Sequence, residues 1–108
     1  MLSPFSSHQF SDSDGNPAGG ATYGDGFSIS WQNGPLGAPD DPERKEPNGA
    51  FVETVIAAAK DRIEFYQRSK FASDDNAEAI TALDSALTAL NRRTASRTAR
   101  NVEGTHTV

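Results

Sequence analysis

The sequence predicts an α+β fold, mainly α: a short N-terminal β-ribbon, then an antiparallel two-helix hairpin that oligomerises. Three observations predict it. Eight of the nine glycines and all six prolines fall within residues 1–49. Within that half, FSISWQ (Phe27 to Gln32) alternates apolar and polar residues with the period of a half-buried strand. Beyond residue 49 the apolar spacing changes to threes and fours, the period of a helix. The expected organisation is a strand and loop region over 1–49 and a helical hairpin domain over 50–108.

In the first half, glycine and proline density predicts loop, turn and coil for most residues. Phe27, Ile29 and Trp31 form the apolar face of the one clear strand, and Asn33-Gly34-Pro35 ends it with turn chemistry. A partner strand is expected upstream, around Ser7 to Ser11, joined through the glycine-rich DGNPAGGATYGDG. Two strands alone are marginal in water, so the ribbon must pack on helices or pair with another chain. APDDPERKEP then reads as a charged, proline-broken linker.

In the second half, Asn48 is the expected N-cap of a first helix running to about Arg68. Val52, Val55, Ile56, Ala59, Ile63 and Tyr66 fall on one face of it. A short connection, SKFAS, carries Phe71. Ser73 or Asp74 caps the second helix, whose first turn is acidic, as the helix dipole favours. Ile80, Leu83, Leu87 and Leu90 form a seam toward the first helix. Beside them runs an alanine stripe, Ala79, Ala82, Ala86 and Ala89. Alanine favours helix on its own account, but small residues also let another helix approach closely. The short connector makes the two helices antiparallel neighbours.

Composition bears on that choice. Leu, Ile, Val and Phe together number 19 of 108 residues, so the core is small. Such cores need metals, disulfides or partner chains. Cysteine is absent, and the two histidines, His8 and His106, lie at opposite ends of the sequence. A homo-oligomer, a dimer or higher, is therefore expected, with the alanine stripe as one contact between copies.

The function classes narrow similarly. A net charge of −5 and a pI near 4.8 argue against DNA or RNA as a partner. The longest unbroken apolar run is Val55 to Ala59, and MLSPFSSHQF lacks the features of a secretory signal. A cytoplasmic protein with no membrane partner is expected. Ser28 and Ser30 have no convincing base nearby, no GxxxxGK[ST] motif occurs, and Asp74-Asp75 reads as a helix start. The expectation is a non-enzymatic protein without a cofactor.

One cluster runs against the overall charge. NRRTASRTAR, Asn91 to Arg100, holds four arginines and no acid. On a helix Arg93, Arg97 and Arg100 share a face, while Arg92 turns about 100° away. Guanidinium forks suit phosphate oxygens, although cations also suit a helix C-terminus without any ligand. Tyr66 and Asn76 lie at the closed end of the hairpin, about 25 Å of helix from Arg93. Only a neighbouring chain packed antiparallel brings them beside it.

The segment from Asp74 to Val108 resembles the helical hairpin of phage sponge proteins, the anti-CBASS and anti-Thoeris proteins that sequester nucleotide immune signals. The residues that carry the likeness are Asn76-Ala77, Ala79-Ile80-Thr81-Ala82-Leu83, Asn91-Arg92-Arg93-Thr94 and the closing VEGTH, Val102 to His106. The N-terminal strand is consistent with the anti-Thoeris branch. The resemblance implies a pocket between two chains for a small nucleotide, a cyclic ADP-ribose isomer or a cyclic oligonucleotide. It implies that Tyr66 stacks on the base, Asn76 donates and accepts hydrogen bonds, and Arg93 meets phosphate. With Thr94 from the same motif and Arg97 from the same face, the expected ligand-binding set is Tyr66, Asn76, Arg93, Thr94 and Arg97. The chain departs from the family pattern at Asp74-Asp75, where relatives carry Arg-Glu. It departs again at Ala82 and Ala89, in place of a lysine and a large aromatic.

Overall fold

A computed structural model describes residues 1–108. The chain forms two compact units: Met1–Phe51 together with Thr98–Val108, and Val52–Arg97.

The first unit is built on an antiparallel three-stranded sheet, β1 (Phe5–Ser11), β2 (Pro17–Gly24) and β3 (Phe27–Asn33), in that spatial order. The ribbon expected from the sequence thus has a third strand. It is the glycine-rich segment, expected as a connector, which instead pairs on both sides as the central strand. Close approach explains the glycines: at Gly20, with φ of +145°, a Cβ would collide with the His8 carbonyl oxygen. The β1–β2 turn is held by the Asp12 carboxylate, which accepts the backbone N–H groups of Asp14 and Asn16, each at 2.9 Å. The Asn16 N–H bond, above all, holds the Asp12 carboxyl below its ordinary range.

The outer edge of β3 is closed over its second half, Ser30 to Asn33. Ala50 donates to the Ser30 carbonyl at 2.7 Å and accepts from Gln32 N–H at 3.1 Å, a parallel bridge. Asn48, expected as a helix cap, serves this edge instead. Its Oδ1 accepts Asn33 N–H at 2.9 Å and its Nδ2 donates to the Asn33 carbonyl at 2.8 Å. The helix begins four residues later, so the amide is spent on the strand rather than on a helix end.

The charged linker and the C-terminal tail hold each other within the same unit. Gly37 N–H donates to the Gly104 carbonyl at 2.8 Å, Arg44 Nη1 meets Glu103 Oε2 at 2.6 Å, and Asn101 Nδ2 donates to Asp40 Oδ1 at 2.8 Å. Leu36 lies under this contact and is the one buried side chain of the protein, 8% exposed. The tail turns there on Gly104, at φ +79°, where a Cβ would stand 2.5 Å from the Gly37 carbonyl oxygen. The closing VEGTH segment therefore has a structural task, which is to fit a tight turn against residues 36–44.

The second unit is the hairpin of α1 (Val52–Gln67) and α2 (Asp74–Ala99), which begins in it. Ser73 caps α2: its Oγ accepts Asn76 N–H at 3.0 Å. The turn is clasped by Gln67, whose amide accepts Ser73 N–H at 2.9 Å and donates to the Ser73 carbonyl at 3.0 Å. Two ion pairs set the antiparallel register, Lys60 with Asp84 at 2.5 Å and Glu53 with Arg93 at 3.5 Å.

The seam of α2 is half-buried as the spacing predicts, through Ile80, Leu83, Leu87 and Leu90. The face of α1 is rotated from the expected one. Val55, Ile56 and Ile63 are half-buried with Lys60 and Glu64, while Val52, Ala59 and Tyr66 are exposed. Lys60 lies on the observed face, its ammonium between Glu64 and Asp84. The alanine stripe is split: Ala79 and Ala86 lie on the half-buried side, Ala82 and Ala89 on the exposed side. Neither helix contains a fully buried residue. No helix is long and apolar enough to cross a membrane.

Candidate functional site

The closed end of the hairpin carries exposed aromatics. Phe65 is 49% exposed, Tyr66 38% and Phe71 68%. The last turn of α1 holds two of them, and Arg62, one turn earlier, precedes them at helical spacings of three and four. The Arg62 guanidinium carbon lies 4.9 Å from the Phe65 ring centre and 5.1 Å from that of Tyr66, and its Nε donates to the Tyr66 hydroxyl at 3.2 Å. Lys70 stands 5.4 Å from the Phe71 ring centre. These contacts orient the rings and place positive charge beside them.

Asn76 adds an amide to the same end, in the first turn of α2. Its Nδ2 donates to the Phe71 carbonyl at 3.2 Å, fixing both the side chain and the loop that carries Phe71. The closed end can therefore offer aromatic faces, a held amide and cationic groups to one ligand.

Arg93, Thr94 and Arg97 lie at the other end of α2. Glu53, near the start of α1, is level with Arg93, and α2 runs on beyond that pair to Ala99, whereas α1 has only Val52 there. Arg93 is largely exposed, its side chain 65% accessible, and its bond to Glu53 is at the limit of hydrogen-bonding distance. Arg97 is half-buried, Thr94 exposed. Arg100, which follows α2, forks onto the Val108 oxygen with both terminal nitrogens at 3.1 Å.

Of the five expected site residues, Tyr66 and Asn76 lie at the closed end of the hairpin, and Arg93, Thr94 and Arg97 lie within four residues of one another on α2. One chain does not join the two groups, since seventeen residues of helix, about 25 Å, separate Asn76 from Arg93. Arg62, Phe65 and Glu53 were not among the residues singled out by sequence. The signal for Arg62 was present, as it precedes Phe65 and Tyr66 by three and four. The pairing of Glu53 with Arg93 depends on hairpin register, which local spacing does not encode.

Comparison with known proteins agrees with this architecture. The hairpin domain described as Acb2/Tad1 matches residues 29–95. A Bacillus phage SBSphiJ7 protein named Thoeris anti-defense 1 is 49% identical over 79 residues, 73% of this chain and 51% of the relative. The chain thus spans about half the length of that relative.

Proposed function

Because the chain belongs to the Acb2/Tad1 hairpin family, we propose that it is a non-enzymatic phage protein that captures a cyclic nucleotide immune signal and so counters bacterial anti-phage defence. The ligand is a cyclic ADP-ribose isomer or a cyclic oligonucleotide, held between antiparallel hairpins of two copies. The observation that carries this reading is the exposed Phe65, Tyr66 and Phe71 group, with the Arg62 guanidinium stacked on two of its rings.

Tyr66 presents a ring for the base, and base stacking on an aromatic face contributes about 1–3 kcal/mol. Asn76 offers the amide oxygen that its bond to Phe71 leaves available. Arg93, Thr94 and Arg97 of the neighbouring copy supply forked donors and a hydroxyl for the phosphates. Capture is stoichiometric: the ligand is withdrawn from its receptor without any bond being broken.

The test is retention. The protein is incubated with a panel of cyclic ADP-ribose isomers and cyclic di- and trinucleotides, desalted by gel filtration, and heated to release what it holds. Recovery of one of them intact is expected. Recovery of cleaved products overturns the non-enzymatic reading, and retention of none overturns nucleotide capture.

The pairing of Arg93 with Glu53 favours a second reading, an assembly protein without a nucleotide ligand, because it gives the arginine an internal partner. The retention experiment separates the two.

A further inference from the structure

Arg62 is held by rings rather than by a carboxylate. Lys60 and Arg93, on the same hairpin, each meet an acid, whereas Arg62 enters no ion pair. The Phe65 and Tyr66 rings stand 6.1 Å apart and tilted by 58°, and the one guanidinium lies over both. A hydrogen bond adds a third contact, Arg62 Nε donating to the Tyr66 hydroxyl at 3.2 Å. Side chains on a helix lean toward its N-terminus, so Tyr66 leans onto the turn that carries Arg62. The Tyr66 carbonyl is held from the other side, accepting Ser69 N–H at 3.0 Å and the Ser69 hydroxyl at 2.6 Å. Tyr66 is thus fixed at its carbonyl, its ring and its hydroxyl, although 38% of it is exposed.

From these contacts we propose that Arg62 is a positioning residue for nucleotide capture: it covers one face of the Tyr66 ring and leaves the opposite face as the platform for the base. This role rests on the nucleotide reading above and adds to it a residue that does not touch the ligand. A tyrosine without such contacts moves among rotamers and offers either face of its ring. A ligand that stacks on it must then order the side chain, at a cost in affinity. Arg62 does that ordering before the ligand arrives. Stacking produces a sandwich of guanidinium, phenol ring and base, with the cation on the electron-rich face that the base does not use.

The test compares variants by calorimetry, using cyclic ADP-ribose isomers and adenine-containing cyclic di- and trinucleotides as probes. Arg62→Ala places a good helix former at an exposed position, so helical circular dichroism and Tm should hold. Affinity should fall about two- to fivefold, the worth of an exposed cation–ring contact. Arg62→Lys keeps a cation for the ring without the Nε–H donor, and should lose less than Arg62→Ala. Tyr66→Phe keeps a ring for the base but removes the hydroxyl that Arg62 holds. In that background Arg62→Ala should cost less than it does in wild type.

A further readout needs no nucleotide. The Arg62 Nε–H signal, beside the Tyr66 ring, should shift in a nitrogen–proton correlation spectrum when Tyr66→Leu removes the ring. An unmoved signal overturns the proposal. Equal affinity of wild type and Arg62→Ala overturns the positioning role and leaves nucleotide capture standing. An undiminished cost of Arg62→Ala in the Tyr66→Phe background overturns it as well, because Arg62 would then act on the ligand without Tyr66. A wild type that binds none of the probes overturns the positioning role and the nucleotide reading together.

Discussion

Lys60 reaches Asp84 across the hairpin, Nζ to Oδ1 at 2.5 Å, and so ties the middle of α1 to the middle of α2. The bond to Asp84, with help from Glu64, holds the Lys60 ammonium above its ordinary 10.5. A group raised in this way stabilises the fold fully below its unfolded value and loses that contribution as pH rises through the folded one. The stability of wild type should therefore fall as pH climbs past 10.5. Lys60→Met should lower Tm modestly at neutral pH and remove this part of the alkaline loss. Thermal melts at pH 7, 10 and 11.5 check it, and parallel pH profiles for both proteins would contradict it.

Arg93→Ala should weaken nucleotide binding by about 2–5 kcal/mol if the phosphate pair is desolvated, at least tenfold in Kd. Glu53→Gln provides the counterpart. It frees Arg93 from its internal partner, so affinity should be retained or improved while Tm falls slightly. Calorimetry and melting on both variants measure the two effects separately. An assembly protein without a ligand would show only the changes in Tm.

Assembly through α2 should depend on Ala82 and Ala89, the exposed half of the alanine stripe. Glutamate at either position would bury an unpaired charge in a close contact between copies, yet leave the half-buried seam of its own hairpin intact. Light scattering should report a smaller particle for Ala82→Glu and Ala89→Glu than for wild type, with unchanged helical circular dichroism. A wild-type mass of 11.5 kDa at micromolar concentration would remove the basis for this expectation. Ala86→Glu is a poorer probe, because Ala86 lies beside Leu87 on the half-buried side.

Gly104→Ala should release the tail. The added methyl would meet the Gly37 carbonyl oxygen at 2.5 Å on a backbone with φ of +79°, so the turn cannot be kept. Loss of the Glu103 contact should follow, and it is chiefly that hydrogen bond which raises the Arg44 pKa. Amide exchange should quicken at Gly37 and across residues 101–105, with protection in the hairpin unchanged. Unaltered protection at Gly37 would show that the tail turn does not hold the linker.

The local features were legible in the sequence. The β3 alternation, the Ser73 cap and the Ile80, Leu83, Leu87, Leu90 seam each rest on neighbours within a few residues, which is the range of periodicity and capping. The closed-end position of Tyr66 and Asn76 could be read for the same reason, whereas Arg100, expected on the helix face of Arg93 and Arg97, lies past the end of α2 and donates to the Val108 oxygen. Glycine content concealed β2, since glycine disfavours strands in isolation and its value here lies in how closely His8 approaches Gly20. Asn48 misled because an amide suited to capping a helix is equally suited to exchanging bonds with a strand, and only the position of β3 decides between them.

Composition and short spacings established an aliphatic-poor chain with a strand-forming half, a helical half and a late cluster of arginines. Those properties belong to composition and to spacings of two, three or four residues. Tertiary structure alone decided which face of α1 turns inward, that the tail returns to Leu36, and that residues 48–50 cover the second half of the β3 edge. Each of these joins residues far apart in the chain, such as Lys60 with Asp84 or Arg44 with Glu103. Such pairs gain their energy only after the chain between them is ordered, so no local pattern announces them.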